Sequence, residues 1–444
     1  MFPKVLVIGS GGREHALVKQ LALSPQAPIL YALPGNPGTA ACATNLSVSV
    51  TDITAVVACC LDHQIDLVVI GPEDPLIAGM ADGLREAGIA VFGPDASGAR
   101  LEGDKEFAKE VMAAAGVPTA AYRAFSDRSA AVDSLAGTVF PVVVKACGAA
   151  QGKGVAVCAD RQEAVAFIDD CLLDQRFGAA GGRIIIETCL TGPELSVLAI
   201  TDGKTAALLA PSRDHKRIGE GDVGPNTGGM GAFAPVLLDA ELAGRIEGEI
   251  VQPILAELAK REMDYRGVLY AGLMLTPSGP QVLEFNCRFG DPETQVVLPL
   301  LNCDFLALLQ AAAAGSLAEF LAEVTPAPEP APTVWPGSGL TDWERHCIVV
   351  VGAADGYPGG YAKGVPLILP ADEPERAWTI QAGTALHDGT LVTNGGRVLG
   401  AVGAAATLPA AREAAYDLLE RIKCTGLVYR RDIAATKRTT EGSD

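Results

Sequence analysis

Aromatic side chains are scarce in this chain of 444 residues, at 5% of the sequence with three tryptophans. Alanine, valine, leucine and glycine dominate instead, a mix that suits an α/β protein with helices packed on parallel sheets. Positive charge is also in deficit. Thirty-four lysines and arginines face 53 aspartates and glutamates, for a formal charge of −19. Nucleic-acid binders and membrane-surface proteins need net basic faces, so the balance argues against both. An anionic small substrate stays open, provided its basic contacts are clustered locally. No CxxC pair occurs among the eleven cysteines, so neither a zinc site nor a redox dithiol is indicated. Buried reduced thiols are the plain reading. No apolar stretch is long enough to span a bilayer, and the opening MFPKVLVIGSGGREH runs into a strand and a glycine turn without signal-peptide architecture. A cytoplasmic protein with no nucleic-acid and no membrane partner is expected.

At this length two to four domains are expected. Residues 4 to about 100 alternate strand and helix signals: strands at 5–8, 29–33, 67–70 and 90–92, with a helix at 14–23. Their apolar runs are continuous rather than alternating, which predicts strands buried on both faces in a doubly wound sheet. Ligands bind at the carboxyl ends of such strands, where IGSGG, LPGNPG, IGPEDP and FGPD lie. From Leu101 the texture changes. LEGDKEFAKEVMAAAGVP reads as one helix, followed by strands within 141–158, at 183–189, 268–275 and 281–286, and a long polar loop at 211–231. Residues 326–336 are proline-dense and read as a linker. Strands at 346–352 and within 390–403 then form a small further domain, and the tail after Ala434 is polar.

The GSGGREH turn fails as a dinucleotide fingerprint. Glu14 stands where the third glycine belongs, and no acidic residue occurs between His15 and Thr51. What remains is a glycine turn at a helix N-terminus, suited to one phosphate or carboxylate or simply to a structural turn. KACGAAQGKGV, Lys145 to Val155, fails as a Walker A loop: three residues separate Gly148 from Gly152-Lys153, Gly154 follows, and a strand comes next. A glycine-rich hairpin can still fold over phosphates, or be a solvent hairpin. VLEFNCRFGDPETQ is the most informative segment. On a strand, Glu284, Asn286 and Arg288 share a face, and a carboxylate beside an amide oxygen offers hard ligands to Mg²⁺. Arg288 could hold an anion, and Asp291 and Glu293 crowd the following turn. The glycine-rich stretch 212–233 carries the charge cluster Asp214, His215, Lys216 and Arg217, a combination more often functional than not.

GSGGREHAL, PGNPGTA, GPEDPL, GDKEFAKEVM, KACGAAQGKGV, DHKR, GPNTGGMGA, YAGLM, EFNCRFGDPETQ and VTNGGRVL occur in this order. Together they closely resemble the phosphoribosylamine–glycine ligase family of the ATP-grasp superfamily, from Val5 to about Ile433. The resemblance implies a Rossmann-like domain at 1–101 and an ATP-grasp unit at 102–325, whose mobile small lobe covers about 120–190. A linker at 326–337, an α+β domain at 338–434 and a tail at 435–444 complete it. It implies ligation of glycine to 5-phosphoribosylamine with ATP and Mg²⁺ or Mn²⁺, through glycyl phosphate, by a monomer. Carried over, Lys105, Lys145, Gly148, Gly152, Lys153, Gly154, Glu187 and Glu194 would bind ATP, and Glu284 and Asn286 the metal. Arg288, Asp214 and Lys216 would face the reacting groups, with Gly11, Gly12, Arg13, Glu14, Arg217 and Asp291 near substrate phosphate or glycine. Five positions depart from the family pattern: Cys147 replaces Asp, Ala149 replaces Leu, Gln151 replaces Ala, Thr188 follows Glu187 in place of a second glutamate, and Pro193 replaces another acid. Cys147 could be a thiol activated by a nearby lysine or an ordinary one. Another ATP-grasp carboxylate–amine ligase and a non-catalytic nucleotide-binding relative are the competing readings, and a nicotinamide oxidoreductase is disfavoured by the failed fingerprint.

Overall fold

The computed structural model describes residues 2–148, 154–324 and 339–435. The linker expected at 326–337, the tail beyond Ala435, and Gly152 and Lys153 of the hairpin lie outside the described residues.

The N-terminal sheet is wholly parallel, in the order Thr44–Asn45, Ile29–Pro34, Lys4–Gly9, Leu67–Ile70, Ala90–Phe92. Its continuous apolar runs have a direct cause. Leu6, Ile8, Val68 and Ile70 enter one core cluster, while Val5, Val7, Leu67 and Val69 enter another on the opposite face. The strand order reverses at Lys4–Gly9, so the glycine turn after it sits at a topological switch point. Helix Gly12–Leu21 starts there.

The helix expected over 101–118 is two helices, Ala96–Gly103 and Lys105–Ala115. Asp104 breaks them. Its backbone is extended and its side chain accepts from Phe107 N at 3.1 Å, so it caps the second helix rather than continuing the first. Capping aims the N-terminus of Lys105–Ala115 at the strand end near Cys147, whose carbonyl accepts from Lys105 N at 2.8 Å.

Two antiparallel four-stranded sheets follow. The smaller runs Tyr122–Phe125, Ile184–Thr188, Val142–Ala146, Val155–Cys158, with helices Arg128–Asp133 and Arg161–Leu172 packed on it around its own core. The larger runs Ala206–Leu208, Glu194–Thr201, Gly267–Thr276, Gly279–Asn286. A bulge opposite Gly272 and Leu273 shifts the last pair's register, leaving Glu284 facing Gly272 and Asn286 facing Tyr270.

The segment read as a loop at 211–231 contains strands Arg213–Asp214, Arg217–Gly219 and Val223–Asn226. Arg213–Asp214 and the adjoining Gly231–Ala234 extend the sheet of the C-terminal unit, in the order Arg213–Asp214, Gly231–Ala234, His346–Ala354, Arg397–Ala405, Ala377–Gln381. The last unit is thus stitched into the central one through backbone hydrogen bonds.

Candidate active site

Strand Gly279–Asn286 is the floor of the site. Val282 and Phe285 are buried in the core, which fixes the strand's facing, and Glu284 and Asn286 alternate with Phe285. Neither the Glu284 carboxylate nor the Asn286 amide has a hydrogen-bond partner among the described residues. Burial pushes the Glu284 carboxyl up, but Lys216, Lys145, Lys105 and Arg288 around it outweigh burial and hold it below the usual range. An ionised carboxylate and a free amide oxygen, side by side, are a hard-oxygen donor pair. They fit a divalent cation that completes its shell with phosphate oxygens and water. Among the described residues no group of three or more His, Cys, Asp or Glu side chains could hold a metal, so a fully protein-ligated site is not offered there.

Lys145 stands at the end of Val142–Ala146, with Nζ 2.8 Å from Glu187 Oε2 and donating to Leu283 O at 3.0 Å. It thereby joins the small sheet to the floor strand, one residue before Glu284. The Glu187 carboxylate is buried, 3% exposed, and shared by Lys145 and Lys109, whose Nζ lies 2.9 Å from Oε1. Lys109 escaped the sequence reading. It lies four residues after Lys105 on the same helix, and that i,i+4 spacing was the available signal.

Lys216 lies 3.1 Å from Glu194 Oε2. Burial alone would discharge it, but Glu194, Glu284 and Asp214 raise its pKa instead, so it stays a cation. Asp214 is the opposite case. Burial and then Glu293 push its carboxyl well above the ordinary range against the pull of Lys216, and Oδ1 has no hydrogen-bond partner among the described residues. Glu293 is held by Tyr270 at 2.5 Å and by Ser196 at 3.2 Å.

Arg288 falls beyond the strand end at Asn286, so the expected shared face does not extend to it. Its guanidinium turns to the N-terminal unit, 3.2 Å from Glu73 and 2.8 Å from Glu102. Arg13 is placed similarly, pairing with Glu14 at 2.6 Å and donating to Phe289 O at 3.0 Å. Glu14 also accepts from Gly11 N at 2.6 Å, which closes the turn internally. A side chain at Gly12 would collide with Gln295 Nε2, at 2.9 Å from its Cβ. Asp291 is gripped by Arg397 at 2.9 Å and by Gln295 at 2.7 Å, and burial is outweighed by Arg397 and Arg13, which lower its pKa. Arg217 donates within its own hairpin to Gly224 O at 2.6 Å.

Gly148 lies against Ala180, and Gly154 bonds back to Ala146 across the base of the hairpin at 2.8 Å. Of the two readings of Cys147, the ordinary thiol agrees with its surroundings. Burial, with Glu106 and Asp104 adding to it, pushes the thiol up to about 11, so the nearby lysine does not activate it.

A parallel domain followed by two antiparallel sheets, with Lys145 on one and a carboxylate–amide pair on the other, is the architecture of an ATP-grasp ligase. The chain belongs to the phosphoribosylglycinamide synthetase family: that family's N domain matches residues 3–102, its ATP-grasp (A) domain 103–294 and its C domain 347–436. The chain is 45% identical over 432 residues to the phosphoribosylamine–glycine ligase of Agrobacterium fabrum, covering 97% of each. It is 44% identical over 440 residues to the trifunctional purine biosynthetic protein adenosine-3 of Bos taurus, covering 98% of this chain and 42% of that one. The crystal structure of phosphoribosylamine–glycine ligase from Thermotoga maritima superposes with a TM-score of 0.82 at 33% identity, covering 97% of this chain and 100% of that one. A biotin carboxylase from Campylobacter jejuni shares the fold, with a TM-score of 0.71 at 16% identity. The chain is accordingly an ATP-dependent carbon–nitrogen ligase of purine biosynthesis.

Proposed function

We propose that Lys105, Lys145, Lys216, Glu284, Asn286 and Asp214 carry the joining of glycine to 5-phosphoribosylamine that this ligase performs with ATP. A free carboxylate is a poor acyl donor because oxide would have to leave. Attack of the glycine carboxylate on the γ-phosphorus gives glycyl phosphate and ADP. Attack of the sugar amine on its carbonyl then forms the amide and expels phosphate. The observation that carries this reading is the ionised, unpartnered Glu284 beside Asn286, ringed by four cations.

The lysines counter the charge that builds on the transferring phosphoryl group. Lys216, kept charged by its acidic neighbours, acts as an electrostatic group and not as a base. Asp214, whose carboxyl is pushed well above the ordinary aspartate range by burial and Glu293, is suited to exchange the proton that the attacking amine loses. Glu194 keeps Lys216 in place, and Arg288 adds its field while tied to Glu73 and Glu102. Glu284 and Asn286 would hold Mg²⁺ or Mn²⁺, which when bound neutralises phosphate charge. Gly148, Gly152, Lys153 and Gly154 are read as the segment covering ATP, and the turn Gly11–Glu14 with Arg217 and Asp291 as neighbours of the substrate phosphate or glycine.

The same reading makes the chain a cytoplasmic monomer acting on small molecules. All eleven cysteines are free thiols, which suits a reducing compartment, and among the described residues no helix is long and apolar enough to cross a membrane. Phosphate release from ATP tests the assignment. It is expected only with glycine and 5-phosphoribosylamine together at steady state. Equal release with other amino acids in place of glycine would overturn it.

A further inference from the structure

The two lysines that share Glu187 are not equivalent. Lys109 Nζ meets Glu187 Oε1 at 2.9 Å, Thr119 Oγ1 at 2.7 Å and Ala120 O at 3.3 Å. Lys109 thus donates two hydrogen bonds inside the protein and forms an ion pair with Glu187. Its side chain is 2% exposed. Thr119 passes the connection on, donating to Val282 O at 2.6 Å, so Lys109 is anchored to the floor strand as well. Lys145 Nζ pairs with Glu187 and donates one hydrogen bond, to Leu283 O, so it is held by fewer hydrogen bonds than Lys109. It also stands at the strand end that leads into residues 149–153, and its charge acts on Glu284.

A single buried carboxylate facing one lysine would hold that lysine hard, since taking it away would leave a bare charge in a desolvated site. Two lysines on one carboxylate remove this penalty. We propose that Lys109 is a positioning residue, the standing counter-ion of Glu187, which leaves Lys145 free to engage the phosphates of ATP without stranding the carboxylate. The inference rests on Lys145 being an ATP-binding lysine. Burial pulls Lys109 below the ordinary lysine range even opposite Glu187, as expected of a group kept in place by geometry rather than by water.

The test is equilibrium binding of a non-hydrolysable ATP analogue to the full chain, alongside ATP-dependent kinetics. Lys109→Met is expected to weaken binding about tenfold and to raise KM for ATP equally, with kcat at saturating ATP within about twofold. That tenfold is about 1.4 kcal/mol. Adding Glu187→Gln to Lys109→Met removes the carboxylate that captures Lys145, and the double variant should bind at least fivefold more tightly than Lys109→Met. A merely structural Lys109 would make the double variant equal or weaker, and that result overturns the proposal. If Lys109→Met fails to fold, Lys109→Arg decides. It keeps a cation on Glu187 and should bind the analogue within about threefold of the parent chain, and a tenfold loss would contradict the proposal. Lys145→Met is the separate control. If it binds the analogue normally, the underlying ATP assignment fails, whatever the Lys109 variants do.

Discussion

Glu284 is ionised because four cations outweigh its burial, and a single truncation separates its chemistry from its packing. Glu284→Ala should lower kcat/KM by at least about a hundredfold at saturating Mg²⁺, about 2.7 kcal/mol of barrier. The strand's packing rests on Val282 and Phe285, so the melting temperature should stay within a few degrees. Near-normal turnover would remove the metal assignment. Cys147 is the converse case, a buried thiol pushed up to about 11. Alkylation of the native chain at pH 8 should leave Cys147 unmodified while exposed Cys42 reacts, as peptide mapping would show. Cys147→Asp should turn over within about tenfold of the parent, because the position shapes a strand end and touches no reacting group. It should also melt lower, since it adds a third acid beside Glu106 and Asp104. A gain of several hundredfold in activity would instead mark an aspartate at this position as a catalytic group that the thiol does not replace.

Among the elements, the hairpin formed by Arg217–Gly219 and Val223–Asn226 is held from outside. Arg430, 1% exposed, donates to Arg217 O at 2.9 Å, Asp222 at 2.8 Å and Asp432 at 2.7 Å. The Arg430 hydrogen bond holds the Asp432 carboxyl down to about 2, against burial and helped by Gly221 N. A depressed folded-state pKa stabilises above the unfolded value near 3.8 and is lost as pH falls through about 2. Asp432→Asn should therefore be less stable than the parent at pH 7, with the difference shrinking between pH 4 and pH 2 in urea titrations. A difference independent of pH would contradict the pairing. Local patterns made much of this legible in advance. The period-two alternation around Phe285 exposed Glu284 and Asn286, and continuous apolar runs gave the parallel sheet. What stayed hidden was non-local. Nothing in Gly231–Ala234 announces that it pairs with His346–Ala354, because strand partners over a hundred residues apart carry no periodic signal. Continued alternation would put Arg288 on the metal face, but the strand ends at Asn286 and Arg288 pairs instead with Glu73 and Glu102, partners far away in the chain. Lys109 lies on the buried side of its helix with Phe107, Ala108, Val111 and Met112, a side on which a charged residue carries no local signal of its ion pair.

Over the whole molecule, a chain of charge −19 concentrates Lys105, Lys145, Lys216 and Arg288 around one carboxylate, so an anionic substrate meets a local field opposite to the global one. All three units contribute. The N-terminal unit supplies Glu73 and Glu102 to hold Arg288, and the C-terminal unit supplies Arg397, which grips Asp291 and donates to Gly228 O at 2.5 Å. The central claim is that ATP activates the carboxylate of glycine. Glycine labelled with ¹⁸O in both carboxylate positions tests it most directly, with the products of a single turnover analysed by mass spectrometry. One labelled oxygen should appear in the released phosphate and one should remain in the amide product, because the bridging oxygen of glycyl phosphate leaves with phosphorus. Unlabelled phosphate formed together with the amide product would contradict the account.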